Sequence, residues 1–99
     1  MGIVTDGGEP EVRLTAWVHG TVQGVGFRWW TRCRALDFGL VGTARNLPDG
    51  RVEVVAEGPR PACAQLLAAL RSGDTPGEVR TVVERWSAAR GGLHRFVTR

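Results

Sequence analysis

The stretch GTVQGVGFRWW, residues 20–30, carries the chemistry most open to reading. It places glycines at 20, 24 and 26 and runs directly into Arg28, Trp29 and Trp30. Glycine lets the backbone curl through conformations closed to other residues, so successive amides can turn toward one point. A loop that feeds a helix N-terminus adds the unpaired N–H groups of the first turn and about half a positive charge from the helix dipole. Such a loop can hold an anion. Taken by itself it reads equally well as a flexible turn. Arg28 shifts the balance. A cation in the first turn of a helix faces the wrong end of the dipole, at a cost of roughly 0.3–1 kcal/mol. Residues 27–36 contain Arg28, Arg32 and Arg34 and no acid, where a sequence chosen for stability alone carries Asp or Glu. A docked anion of two or more charges removes the misfit, with Arg28 gripping it through two N–H groups. Arg32 and Arg34 read better as solvated helix arginines.

What the loop lacks narrows the chemistry. It has no Lys-Ser/Thr pair, so it is not a nucleotide-binding Walker A loop. It holds no Cys, Ser or His nucleophile, which argues against a phosphoenzyme. A dinucleotide fingerprint needs a larger parallel sheet than 99 residues of this pattern supply. The net charge is +3, all thirteen cations are arginine, and acids are interleaved with them. That distribution suits a small anionic ligand and not a nucleic-acid stripe. Cys33 and Cys63 fit no metal-ligand spacing, so no metal site and no cofactor are expected. Two thiols without a secretory leader point to a reducing, cytoplasmic setting. No apolar run is long enough for a bilayer.

The elements that must position the loop follow from periodicity. In residues 12–19, Val12, Leu14, Ala16 and Val18 share one face and Arg13, Thr15, Trp17 and His19 the other, as in a half-buried strand. Trp17 is a candidate for the mouth of the site, and His19 borders the loop but reads as strand-end surface. From Phe27 the period becomes helical: Phe27, Trp30, Thr31, Ala35 and Phe38 line one side, and Gly39 ends the helix. A hairpin over residues 40–58 turns at Pro48, Asp49 and Gly50, with Val52, Val54 and Ala56 inward and Glu53 and Glu57 outward. A second helix is expected over residues 59–72 with Cys63, Leu66, Leu67 and Leu70 as its apolar stripe. Cys33 falls away from its own helix's stripe, so one buried and one exposed thiol, both free, are expected. A strand over residues 78–88 and a short one within 93–99 complete the pattern. His94 sits there without an evident partner. The first helix is too long for a hairpin link and must cross over between neighbouring parallel strands. The order strand, helix, strand, strand, helix, strand predicts an α+β, ferredoxin-like split βαβ sandwich (βαββαβ), mostly antiparallel, with both helices on one face. Residues 1–10 read as a loose tail and 11–99 as one domain.

The segments VHGTVQGVGFR and GLVGTARNLPDGRVEVVAEG together resemble the acylphosphatase family, whose pattern is V-x-G-x-V-Q-G-V-x-F-R followed by G-x-x-x-N-x-x-D-G-x-V-E. The resemblance runs from about Val12 to Val97. It implies hydrolysis of an acyl phosphate to a carboxylate and inorganic phosphate, without metal or covalent intermediate. By position, Arg28 matches the family's phosphate-binding arginine and Asn46 the asparagine that orients the attacking water. Without that match, Asn46 reads as a turn residue before Pro48. The phosphate cradle falls on Gly20, Thr21, Val22, Gln23, Gly24, Val25, Gly26 and Phe27. The implied partners are a small acyl phosphate and, as competing anions, inorganic phosphate or sulfate; no nucleic acid and no membrane are implied, and a monomer is expected. Which acyl group is carried stays open.

The chain departs from the family pattern in four places. Thr43 stands for an aromatic, Ala44 for a larger apolar residue, Glu57 for glutamine, and HRFVTR for an ending with a terminal aromatic. A noncatalytic anion- or nucleic-acid-binding module of the same fold is the alternative reading. An RNA-binding sheet of this kind stacks bases on central-strand aromatics, and RVEVVAEG has none. A carbamoyl-phosphate-handling domain of a larger maturation enzyme carries a similar loop, but belongs with appended domains and zinc-type cysteine pairs.

Overall fold

In a computed structural model, which describes residues 10–99, five strands and two helices follow one another as β1 (Glu11–Thr21), α1 (Phe27–Asp37), β2 (Val41–Asn46), β3 (Val52–Pro59), α2 (Arg60–Leu70), β4 (Glu78–Ala88) and β5 (Phe96–Thr98). The tail expected over residues 1–10 lies almost wholly outside the described residues. The strands form one sheet in the order β4-β1-β3-β2-β5. All neighbours are antiparallel except β2 and β5, which run parallel. The crossover through α1 joins β1 to β2, as expected, but these are not neighbours. β3 lies between them, and its Val55 pairs with Thr15 on one side and Thr43 on the other.

Strand alternation sets the two faces. Leu14, Ala16, Val18, Val52, Val54 and Ala56 are fully buried under the helices. α1 packs over β2 and β5, and α2 over β1 and β3. α1 buries Phe27, Thr31 and Ala35, with Trp30 and Phe38 partly buried beside them. Gly39, at φ 73°, supplies the left-handed residue that ends the helix. α2 buries the expected stripe of Cys63, Leu66, Leu67 and Leu70. It begins with Pro59 as the cap and Pro61 in the first turn, where a missing N–H breaks no helical bond. Both cysteines are free. Burial pushes the Cys63 thiol up to about 11, so it is inert and acts as a small apolar side chain. Cys33 is half-buried, where an exposed thiol was expected.

Glu57 is the larger correction. Alternation puts it on the face away from the helices, yet it is only 3% exposed. After β4 the chain folds back across that face through residues 89–95, helped by Gly91 and Gly92 at φ 77° and 82°. Arg90 N–H and Gly91 N–H donate to the Glu57 carboxylate at 2.9 and 3.1 Å, and Arg13 Nε donates at 2.7 Å. A buried charge is tolerated only when paired and hydrogen-bonded in this way. Burial pushes the Glu57 carboxyl up, but the Arg90 amide, Arg13 and the Gly91 amide outweigh it and hold the group below the usual glutamate range. The unfolded chain therefore binds the proton more readily than the folded one. The stabilisation is present above the ordinary glutamate pKa and is lost as pH falls through the lowered folded value. Glu57→Ala is expected to cost about 3 kcal/mol near neutrality. Denaturant melts of parent and variant should converge as the solution is acidified; a gap that does not change with pH would exclude this role for the carboxylate.

Candidate active site

Four strand termini meet at one end of the sheet. Val18 pairs with Val52, and Asn46 also pairs with Val52, so the C-terminal ends of β1 and β2 lie beside the start of β3. β5 runs parallel to β2, with Ala44 opposite Thr98, which brings residues 98 and 99 to the same end. The loop of residues 22–26 and the N-terminus of α1 leave from there. Asn46 shares strand parity with the buried Ala44, so it faces the helix layer.

The loop's backbone is open toward solvent. Gly24 and Gly26 have φ 76° and 84°, and Gly26 caps α1 in the left-handed conformation. No side chain caps this helix and no acid sits in its first turn. The first amide of the segment to reach a backbone acceptor is Trp30's, on Gly26 O at 3.0 Å. The N–H groups before it form the cluster of orphan donors expected at a helix start. Gly20 has a different duty. A β-carbon there would lie 2.0 Å from Glu78 O, so its glycine lets β4 approach across the bulge between His19 and Gly20.

Val22, Gly24, Gly26, Phe27, Arg28, Trp29 and Thr98 line a cavity of about 140 Å³ over this cluster. Arg28 is half-buried, and its Nη1 donates to the Arg99 carbonyl. A backbone oxygen thus positions the one cation that lines the cavity. Arg32 stacks over Trp29 at 4.7 Å and Arg34 pairs with Asp37, so both belong to the helix surface as expected. Of the other loop residues, Thr21 and Val25 are exposed and do not line the cavity. The Gln23 side chain turns away from it. Its Nε2 donates to Leu47 O at 2.8 Å and Arg51 O at 2.9 Å, tying the loop to the β2–β3 turn. That turn closes through Gly50 N–H on Leu47 O at 3.1 Å and is braced by Asp49, which accepts from the Arg51 amide at 3.1 Å. Asn46 sits just before it. Its Oδ1 is enclosed and receives no hydrogen bond among the described residues.

Two cavity residues escape sequence reasoning. Thr98 reaches the site through the parallel pairing of β5 with β2, which leaves no periodic signal. Trp29, 61% exposed, reads from the helix wheel as surface alone. Trp17 is the reverse case: on the face away from the helices it donates to Glu53 at 3.1 Å and has no part in the cavity. Among the described residues, no group of three or more His, Cys, Asp or Glu could hold a metal ion, and no helix is long and apolar enough to cross a membrane.

A mixed sheet with two helices over one face and a βαββαβ order, extended here by β5, is a ferredoxin-like sandwich, and such sandwiches serve many functions. The comparisons narrow the class. Residues 14–98 match the Acylphosphatase family profile. The chain is 66% identical over 97 residues to an acylphosphatase of Saccharopolyspora erythraea, covering 98% of this chain and 100% of that one. It is 67% identical to one of Thermobifida fusca, covering 90% and 98%. The crystal structure of an acylphosphatase from Bacillus subtilis superposes with a TM-score of 0.83 at 33% identity, over 89% of this chain and 98% of that one. The chain belongs to the acylphosphatase family, hydrolases that act on acyl phosphates.

Proposed function

We propose that the amides of residues 22–29 and the Arg28 guanidinium hold the phosphoryl group of an acyl phosphate, and that Asn46 orients the water that attacks it. The observation that carries this reading is the cavity of orphan amides with Arg28 on its wall and no carboxylate among its lining residues. The transferring phosphoryl spreads negative charge over its equatorial oxygens, and preorganised donors stabilise that charge best where water is scarce. Arg28, held by the Arg99 carbonyl, reaches the phosphoryl group without first reorganising. The Asn46 Oδ1 has no protein donor among the described residues, and a side-chain amide, which cannot ionise, orients a water through hydrogen bonds alone. Gln23 fixes the distance between the two halves by joining the loop to the turn beside Asn46. Water attacks phosphorus, the P–O bond to the acyl group breaks, and the electron pair leaves on a carboxylate. A carboxylate is a weak base, so the leaving group needs no proton donor, and the cavity lining offers no acid or histidine. The water's proton passes to a phosphate oxygen or to solvent. Every residue invoked comes from one chain, so a monomer suffices.

Two measurements test the reading together. Hydrolysis of benzoyl phosphate should persist in excess EDTA, because amides and Arg28 carry the phosphate charge. Inorganic phosphate should raise KM and leave kcat unchanged, because product and substrate share the cradle. Loss of activity on chelation restored by a divalent ion, or inhibition that lowers kcat alone, overturns it.

A further inference from the structure

The face of the sheet away from the helices holds a second cavity, of about 200 Å³, lined by Arg13, Thr43, Arg45, Val55, Leu93 and Arg99. Thr43, Arg45 and Val55 are the outward residues of the central strands β2 and β3. Arg13 comes from β1, and Leu93 from the segment that Glu57 pins across this face. Three arginines line it, and no acid is among the lining residues. Arg13 uses its Nε on Glu57 and Arg45 its Nε on Glu53, at 2.7 and 2.9 Å. Both pairs leave the terminal N–H forks of the arginines uncommitted among the described hydrogen bonds. The Arg99 side chain has no ion pair among the described residues. Two of the three positive charges are thus balanced by neighbouring carboxylates and one is not. Val55 and Leu93 add apolar wall, and the Thr43 hydroxyl adds a donor.

We propose that this cavity binds a small monoanionic carboxylate with a short apolar tail. One unbalanced guanidinium matches a single negative charge, and a guanidinium fork matches the two oxygens of a carboxylate. A phosphate dianion leaves a charge uncompensated there, and a cation is repelled. The ligand class is that of the organic product of acyl phosphate hydrolysis, and to that extent it rests on the function proposed above. The site is separate from the amide cavity. The two have no lining residue in common; Arg99 lines this cavity, and its backbone oxygen accepts from Arg28, which lines the other.

The test is a direct titration that needs no turnover, so it stands or falls apart from the catalytic reading. Hexanoate is added to the protein already saturated with inorganic phosphate, and backbone amides are followed by heteronuclear NMR. The expected result is saturable shifts at Thr43, Val55 and Arg99, absent with hexylammonium. Thr43→Trp, which fills the cavity, and Arg45→Ala should each weaken hexanoate binding at least fivefold. Arg99→Ala gives a second side-chain deletion if the tryptophan variant folds poorly. Shifts confined to residues 22–29, an equal response to hexylammonium, or unchanged affinity in Arg45→Ala and Arg99→Ala overturn the proposal.

Discussion

Asn46→Ala is expected to lower kcat on benzoyl phosphate by about a hundredfold or more while phosphate affinity stays near that of the parent. A hundredfold loss corresponds to about 2.7 kcal/mol of transition-state stabilisation. Misplacing a reactant by an ångström is enough to produce it. The loss falls on kcat because the water's alignment matters only on the way to the transition state. Folding should not suffer. The Asn46 Oδ1 has no protein donor among the described residues, so the variant breaks no hydrogen bond to that oxygen within the protein. Initial rates beside thermal melts with and without phosphate check both halves. Full turnover in the variant would assign the water to another group.

Arg28→Ala should damage binding and turnover together, because the proposed ion pair with the phosphoryl group would exist before and during transfer. The expected fall in kcat/KM is on the order of a thousandfold, about 4 kcal/mol, as for loss of a preorganised charge donor. The thermal melt separates this residue from Asn46. At one hundred times its dissociation constant, phosphate stabilises a binding protein by about 2.7 kcal/mol. Parent and Asn46→Ala should both show that shift, and Arg28→Ala much less of it. Without phosphate the Arg28 variant should melt close to the parent. It loses an exposed hydrogen bond to the Arg99 carbonyl and relieves a cation at the positive end of α1, two effects that roughly cancel. If phosphate stabilises Arg28→Ala as strongly as the parent, the loop amides alone hold the anion.

The place of Arg28 beside the cavity could be anticipated from a local rule: a first-turn arginine with no acid around it is at odds with the helix dipole unless an anion offsets it. β4 was legible from Glu78 to Ala88 because GDTPG breaks the helix before it. Asn46 stands out as a site candidate only through the motif, since an asparagine before Pro48 is also an ordinary turn residue. Glu57 was placed on the correct face, but its burial was missed, because alternation reports which face a residue takes, not what later covers that face. Its cover is the aperiodic segment 89–95, held by two backbone amides that no side-chain pattern encodes. Thr98 was hidden for a related reason. A three-residue strand has too little pattern to announce its partner, and the β2–β5 pairing spans more than half the chain.

The Gln23 clamp also bears on how the protein reaches its native state. The bonds to Leu47 and Arg51 join residues 24 and 28 positions apart. The loop therefore takes its final shape only after the β2–β3 hairpin has closed and docked beside β1. Closing such long loops carries an entropic cost that local turns do not. An anion that recognises the finished loop finds little to grip in a chain whose hairpin is still undocked. If phosphate occupies the proposed cradle, it is expected to slow escape from the native state and to leave the rate of arrival almost untouched.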